Sequence, residues 1–312
     1  MAKLEALGIA GNLLHLFGDY LIGRKLKVVV NGQTSTNHPI GASVPQGSVL
    51  GPLLWNIFIN DLLQGLPSIN AYADDCTLSY TYNRDAVGDT VNAINQQLKY
   101  ISRWGQRWQV RFAPEKTQAM VITRSPNDAI LLDKKLKLGQ DYIKINNSLS
   151  ILGVEFDSKL TFENHIKELA HRASIKVTAL RRIKHLLDAK GLQTLYKAQV
   201  RSHLEYAPLT WMSCPRSHLS LLDKVQRRAE RLITSVCQRG EAVTVLDTLK
   251  HRRQVASLTV FHKAQILHTP HLTDLRLPWR QSIRNTRSVL ANSCQVGVPR
   301  SHTSTHTNAR SQ

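Results

Sequence analysis

The sequence predicts an α+β fold, in which an antiparallel sheet carries helices on one face and leads into an all-helical region. Three observations predict it. Short alternating runs bounded by turn residues read as strands up to about residue 160, helical periods at 53–62 and 91–108 stand between them, and apolar residues at steps of three and four take over from about 162. Residues 1–80 hold four basic and five acidic side chains, a net of −1, whereas the remaining residues hold 37 basic and 17 acidic, a net of +20.

In chain order, "KLKVVVNGQTS" reads as a strand reaching an Asn31-Gly32 hairpin turn, because both central positions of a type I′ turn require positive φ. "VPQGSVLGPLLWNIFINDLL" reads as a glycine-bearing loop feeding a helix. Pro52 suits an early helical position, and Leu53, Leu54, Ile57, Phe58, Asp61 and Leu62 supply the period. Ile69, Ala71 and Ala73 then alternate toward Asp74 and Asp75, with Leu78 and Tyr80 beyond, which predicts a hairpin bending at the acidic pair. Val91, Ile94, Leu98, Ile101, Trp104 and Trp108 mark an amphipathic helix that Asp89 or Thr90 is expected to cap. "QAMVITR" and "LSILGVEF" read as single strands. From Phe162 through Ile166, Leu169, Ala173, Val177 and Leu180 the pattern is helical, and "RRIKH", "DKVQRRAER" and "KHRRQ" make the solvent faces basic. Residues 280–312 are rich in Ser, Thr, Asn and Arg and hold no acid, so a disordered tail is expected.

Composition narrows the function. At 312 residues the chain can bury a core and has room for about two domains. A net charge of +19 points to a polyanionic partner, bound through phosphate neutralisation and counterion release. The four cysteines, Cys76, Cys214, Cys237 and Cys294, are far apart with no zinc-ligand spacing, as in reduced intracellular proteins. No secretory signal follows the start, and the longest apolar stretch, "VLGPLLWNIFI", has 11 residues against the ~20 that a membrane span needs. The expectation is a soluble protein with no membrane partner.

The acidic pair is the chemical clue. Adjacent strand residues point to opposite faces, so Asp74 and Asp75 can approach one locus only if the backbone bends beside them. Carboxylates are hard ligands, and Mg²⁺ takes one or two of them while keeping waters and substrate phosphates. Two such ions ~3.5–4 Å apart can hold both oxygens of a phosphoryl transfer.

Together, "YADD" at 72–75, "SVPQGSVLGPLLWNIFINDL" at 43–62, "PEKTQ" at 114–118 and "ILGVEFDSKLTF" at 151–162 resemble the reverse transcriptases of non-LTR retrotransposons. "LYKAQVRSHLEYAPLTW" and "VQRRAERLI" are similar to the region after the polymerase core in jockey-like elements. The resemblance implies a partial polymerase palm over 1–160, a basic helical thumb over 161–279 and a tail over 280–312. Asp74 is then the metal-binding carboxylate with Asp75 beside it. Gln46, Gly47 and Ser48 lie against template and incoming nucleotide, Lys116 lies near the leaving phosphates, and Leu152 and Gly153 form the turn gripping the primer end. Mg²⁺, or Mn²⁺ in its place, is the implied cofactor. RNA template, DNA primer and dNTP are the implied partners, and the nucleus is the expected compartment.

The family's first catalytic aspartate, in a motif like "AFDxVxH" ahead of the glycine loop, has no match here. The opening "LEALGIAGNLLHLFGDYLIGRKLKVVVNG" resembles the stretch just after it, and Glu5 and Asp19 fall where the family has no catalytic acid. The expectation is a chain inactive by itself. The alternative is a non-catalytic nucleic-acid-binding relic that uses only the basic helices.

Overall fold

The computed structural model describes residues 1–125, 130, 132–237 and 245–277. The chain forms two compact units: Met1–Ala119 with Asn127–Ile145, and Met120–Pro126 with Asn146–Gln312.

The first unit opens with helices α1 (Ala2–Ala6) and α2 (Gly11–Leu21). Four two-residue strands follow, β1 (Lys25–Leu26), β2 (Val29–Val30), β3 (Gln33–Thr34) and β4 (His38–Pro39), nested as β1 with β4 and β2 with β3. Asn31 at φ 49° and Gly32 at φ 79° make the tight turn between Val30 and Gln33, as the Asn-Gly pair predicts. Helix α3 (Gly51–Gln64) has Pro52 in its first turn, buries Leu54, Ile59 and Leu62, and leaves Leu53 exposed. It leads into strands β5 (Ile69–Tyr72) and β6 (Asp75–Leu78).

Helix α4 (Val87–Trp108) buries Val91, Leu98, Ile101 and Trp104. It begins before the expected cap. Asn83 accepts from the Asp85 amide and starts a 3-10 turn, so Asp89 falls inside the first helical turn and the Thr90 hydroxyl donates to Ala86 O. Short strands β7 (Gln118–Met120), β8 (Lys137–Leu138), β9 (Asp141–Tyr142) and β10 (Lys144–Asn146) follow.

Lys3 fastens α1 to the core of this unit. Its ammonium donates to Phe58 O and to Asp61 Oδ1 at 2.7 Å, and lies 4.4, 4.7 and 3.9 Å from the ring centroids of Phe58, Trp104 and Trp108. Burial would raise the Asp61 carboxyl, but hydrogen bonds from Lys3 and from the Trp104 indole outweigh it and hold the group below its ordinary range.

In the second unit, β11 (Ser148–Ile151) and β12 (Val154–Asp157) pair in register from Ser148↔Asp157 to Ile151↔Val154. "LSILGVEF" is therefore a hairpin rather than one strand. Helix α5 (Glu163–Ile183) follows, and Asp157 secures its approach by accepting from the amides of Lys159, Thr161 and Phe162 and from the Thr161 hydroxyl. Helix α6 (Ala189–Leu195), capped by Asp188, runs through a π-helical stretch at Tyr196–Arg201 into α7 (Ser202–Leu204). Then come α8 (Pro208–Trp211), α9 (Arg216–Thr234) and α10 (Leu249–Gln265), the last capped by Thr248. The core unites Ile166, Leu192, Tyr196, Leu204, Trp211 and Leu222, all essentially without exposure.

Two expectations need correction. Among the described residues the strands form six separate two-stranded pairings rather than one sheet, because all are two to four residues long and β1 to β4 are exposed throughout. The basic runs are solvent-facing at Arg181, Arg182, Lys184, Lys224, Arg227, Arg228 and Arg231, but not throughout "KHRRQ". There Arg252 pairs with Glu205, and Arg253 is buried, with burial lowering its pKa. The expected tail at 280–312 lies outside the described residues.

Candidate functional site

The acidic hairpin is built from its register. Tyr72 pairs with Asp75, which leaves Ala73 and Asp74 as a two-residue turn. Ala73 adopts φ 54°, a left-handed conformation that an L side chain takes at a cost of ~1–2 kcal/mol, and so bends the chain beside the two acids. Both Asp74 and Asp75 are exposed, and neither forms an ion pair among the described residues. Solvent rather than a protein cation makes their juxtaposition tolerable. Next to them, burial and then the charges of Asp75 and Asp74 push the Cys76 thiol up.

The glycine loop reaches this turn through α3. Gly47 takes φ 77°, where a side chain would be strained. Ser48 closes the loop on itself: its hydroxyl donates to Pro45 O at 2.7 Å and accepts from the Gly51 amide at 3.0 Å, occupying one of the free N–H groups at the start of α3. Gln46 and Gly47 are exposed. One turn further along α3, the Trp55 indole N–H donates to Ala73 O at 2.7 Å. That bond ties the helix that starts at the glycine loop to the bend that presents the aspartates. Trp55 lies within the 43–62 stretch, but nothing in the sequence pointed to this bond, because its partner is a backbone carbonyl.

Lys116 sits on an exposed turn whose amides fold back onto Ala113 O. No hydrogen bond or ion pair among the described residues joins it to either aspartate. In the second unit, Leu152 at φ 48° and Gly153 at φ 80° form the two-residue turn between β11 and β12. Both central φ values are positive, as a type I′ turn requires, and Leu152 is a costly residue for that position. The Tyr206 hydroxyl donates to Leu152 O at 2.6 Å, an interaction that sequence reasoning did not signal.

Two hard, exposed carboxylate donors on one bend suit Mg²⁺ or Mn²⁺ in kind. They are few: no group of three or more His, Cys, Asp or Glu side chains among the described residues could hold a metal ion.

Residues 1–156, half of the chain, match the reverse transcriptase (RNA-dependent DNA polymerase) family. The chain belongs to the reverse transcriptase family. This reverse transcriptase chain is 27% identical over 308 residues to a probable RNA-directed DNA polymerase from transposon X-element of Drosophila melanogaster, covering 92% of this chain and 33% of that protein. It is 28% identical over 238 residues to the RNA-directed DNA polymerase from mobile element jockey of Drosophila funebris, covering 72% of this chain and 25% of the relative. A probable RNA-directed DNA polymerase from transposon BS of Drosophila melanogaster is 30% identical over 238 residues, covering 69% and 25%. The chain thus spans a third or less of the length of these curated relatives. The family and the non-LTR kinship agree with the resemblance carried by "YADD" and the glycine loop. No helix among the described residues is long and apolar enough to cross a membrane.

Proposed function

We propose that this chain is a segment of a non-LTR retrotransposon RNA-directed DNA polymerase, with Asp74 and Asp75 as its metal-binding carboxylates. The observation that supports this best is the Trp55 bond to Ala73 O, since it links the glycine loop's helix to a solvent-open bend bearing both acids. Divalent cations bound there would hold the attacking and leaving oxygens of nucleotidyl transfer. Gln46 and Gly47 present exposed backbone and amide groups to a template or nucleotide, Ser48 fixes their loop, and Lys116 supplies a cation for phosphate. Leu152 and Gly153 contact the primer end, and the exposed arginines of α5 and α9 track the duplex backbone.

Among the described residues no third carboxylate stands beside them to complete such a site, and we propose that this chain alone does not extend primers. Ferrous ion with ascorbate, used in place of Mg²⁺, should cut the backbone around residues 72–76 in the native chain and not in Asp74→Ala. Cutting elsewhere would remove the metal assignment. Primer extension on an RNA template that Asp74→Ala abolishes would overturn the inactivity. The solvent-facing arginines of α5 and α9 also favour the second reading, a nucleic-acid-binding relic. That reading predicts salt-sensitive binding and no metal-dependent cut.

A further inference from the structure

We infer that Tyr206 is a positioning residue for the primer end, holding the Leu152-Gly153 turn in the shape that meets it. The inference rests on the primer-contact role proposed for that turn. Its hydroxyl donates to Leu152 O at 2.6 Å, which fixes the turn's first central residue. Its ring edge lies 3.6 Å from where a Cβ on Gly153 would stand, so the second central residue is backed by the same side chain. A single tyrosine therefore bonds one residue and stands beside the other in a turn whose Leu152 pays for its left-handed φ.

The tyrosine is itself held from behind. The indole of Trp211, which has no exposure, donates to Tyr206 O at 3.1 Å. The preceding Glu205 accepts two hydrogen bonds from the Arg252 guanidinium, one through Nη2 at 2.8 Å, and Arg201 adds an ion pair at 3.7 Å. A bidentate arginine–carboxylate clamp is the geometrically specific kind of ion pair. Ala207, next in the chain, takes φ 46° and turns directly into α8. Yet Tyr206 is 49% exposed and Leu152 43% exposed. A rigid post that ends in a half-exposed aromatic against an exposed, strained turn contributes little to the core. What it fixes is the face that the turn shows to solvent.

The test uses the full chain and fluorescence anisotropy. One probe is a DNA primer recessed on an RNA template, and the other is the same duplex with a blunt end. The native chain should prefer the recessed end. Tyr206→Phe, which keeps the ring and removes one neutral hydrogen bond, should reduce that preference by about fivefold, and Tyr206→Ala should remove it. Blunt-duplex affinity and helical circular dichroism should stay unchanged in both, which a general loss of structure would not allow. If both variants keep the native preference, the positioning role is overturned. If the native chain shows no preference, the primer-contact reading of Leu152 and Gly153 fails, and this inference falls with it.

Discussion

The bend at Ala73 and Asp74 stores a conflict at the scale of single residues. Ala73 must adopt a left-handed φ without the freedom of glycine, and the Trp55 indole holds its carbonyl in place. Ala73→Gly should therefore stabilise the first unit, by about 1 kcal/mol, because glycine enters that region without steric cost. Trp55→Phe should destabilise it by about the same amount, since the ring remains and only the donor is removed. Urea midpoints followed by tryptophan emission would check the first directly, and circular dichroism would check both. The acidic bend was legible in the sequence because an alternating run on each side of Asp74 and Asp75 specifies a hairpin. Trp55 and Tyr206 were not legible, because each hydrogen-bonds to a backbone carbonyl, and sequence patterns encode side-chain faces rather than carbonyl directions.

Among elements, the junction from β12 to α5 has the clearest electrostatic signature. Burial alone would raise the Asp157 carboxyl, but the amides of Thr161 and Phe162, then the Thr161 hydroxyl and the Lys159 amide, outweigh it and lower the pKa from its ordinary 3.8. A depressed folded-state pKa means that the stabilisation is complete above the unfolded value and fades as pH falls through the folded one. Asp157→Asn should cost stability at neutral pH, and its difference from the native chain should shrink in acid below 3.8. Asp157→Ala should cost about 2 kcal/mol, the upper range for removing a helix-start acceptor. Denaturant unfolding at pH 7 and pH 3, followed by helical circular dichroism, reads both. The helices themselves were legible, since α5 buries Ile166, Leu169, Ala173, Val177 and Leu180, and α4 buries Val91, Leu98, Ile101 and Trp104 while leaving Ile94 and Trp108 half-buried. The hairpin in "LSILGVEF" was not, because leucine is an unusual first residue for a type I′ turn and glycine alone supplies half of its signature. The expected cap of α4 was wrong because the helix continues from a 3-10 turn that Asn83 caps, so α4 starts directly after Ala86 with no side-chain cap and Asp89 and Thr90 fall inside it.

For the whole molecule, the charge division is the property most completely written in the sequence. The acidic bend lies in a stretch of net −1, while the exposed arginines of α5 and α9 belong to the +20 remainder. Binding of RNA–DNA duplex should weaken steeply as salt rises, and replacing Arg227, Arg228 and Arg231 by alanine should flatten the log–log slope, by about 0.7 to 0.9 for each phosphate that is no longer neutralised. Anisotropy titrations at several salt concentrations measure this. The core of the second unit makes a separate prediction. Leu192 has no exposure at the centre of its cluster, so Leu192→Ala should cost about 2–5 kcal/mol, seen as a lower urea midpoint for helix loss. The arrangement of strands was the part that the sequence hid, since a period of two assigns faces and leaves open which strand lies beside which.

Lys3 offers a built-in reporter. Its amine sits within three rings and against a carboxylate, with its side chain only 14% exposed, whereas Lys116 stands in open solvent. Acylating reagents should modify Lys116 rapidly and Lys3 slowly, so the rate at Lys3 records how often the first helix lifts from its seat.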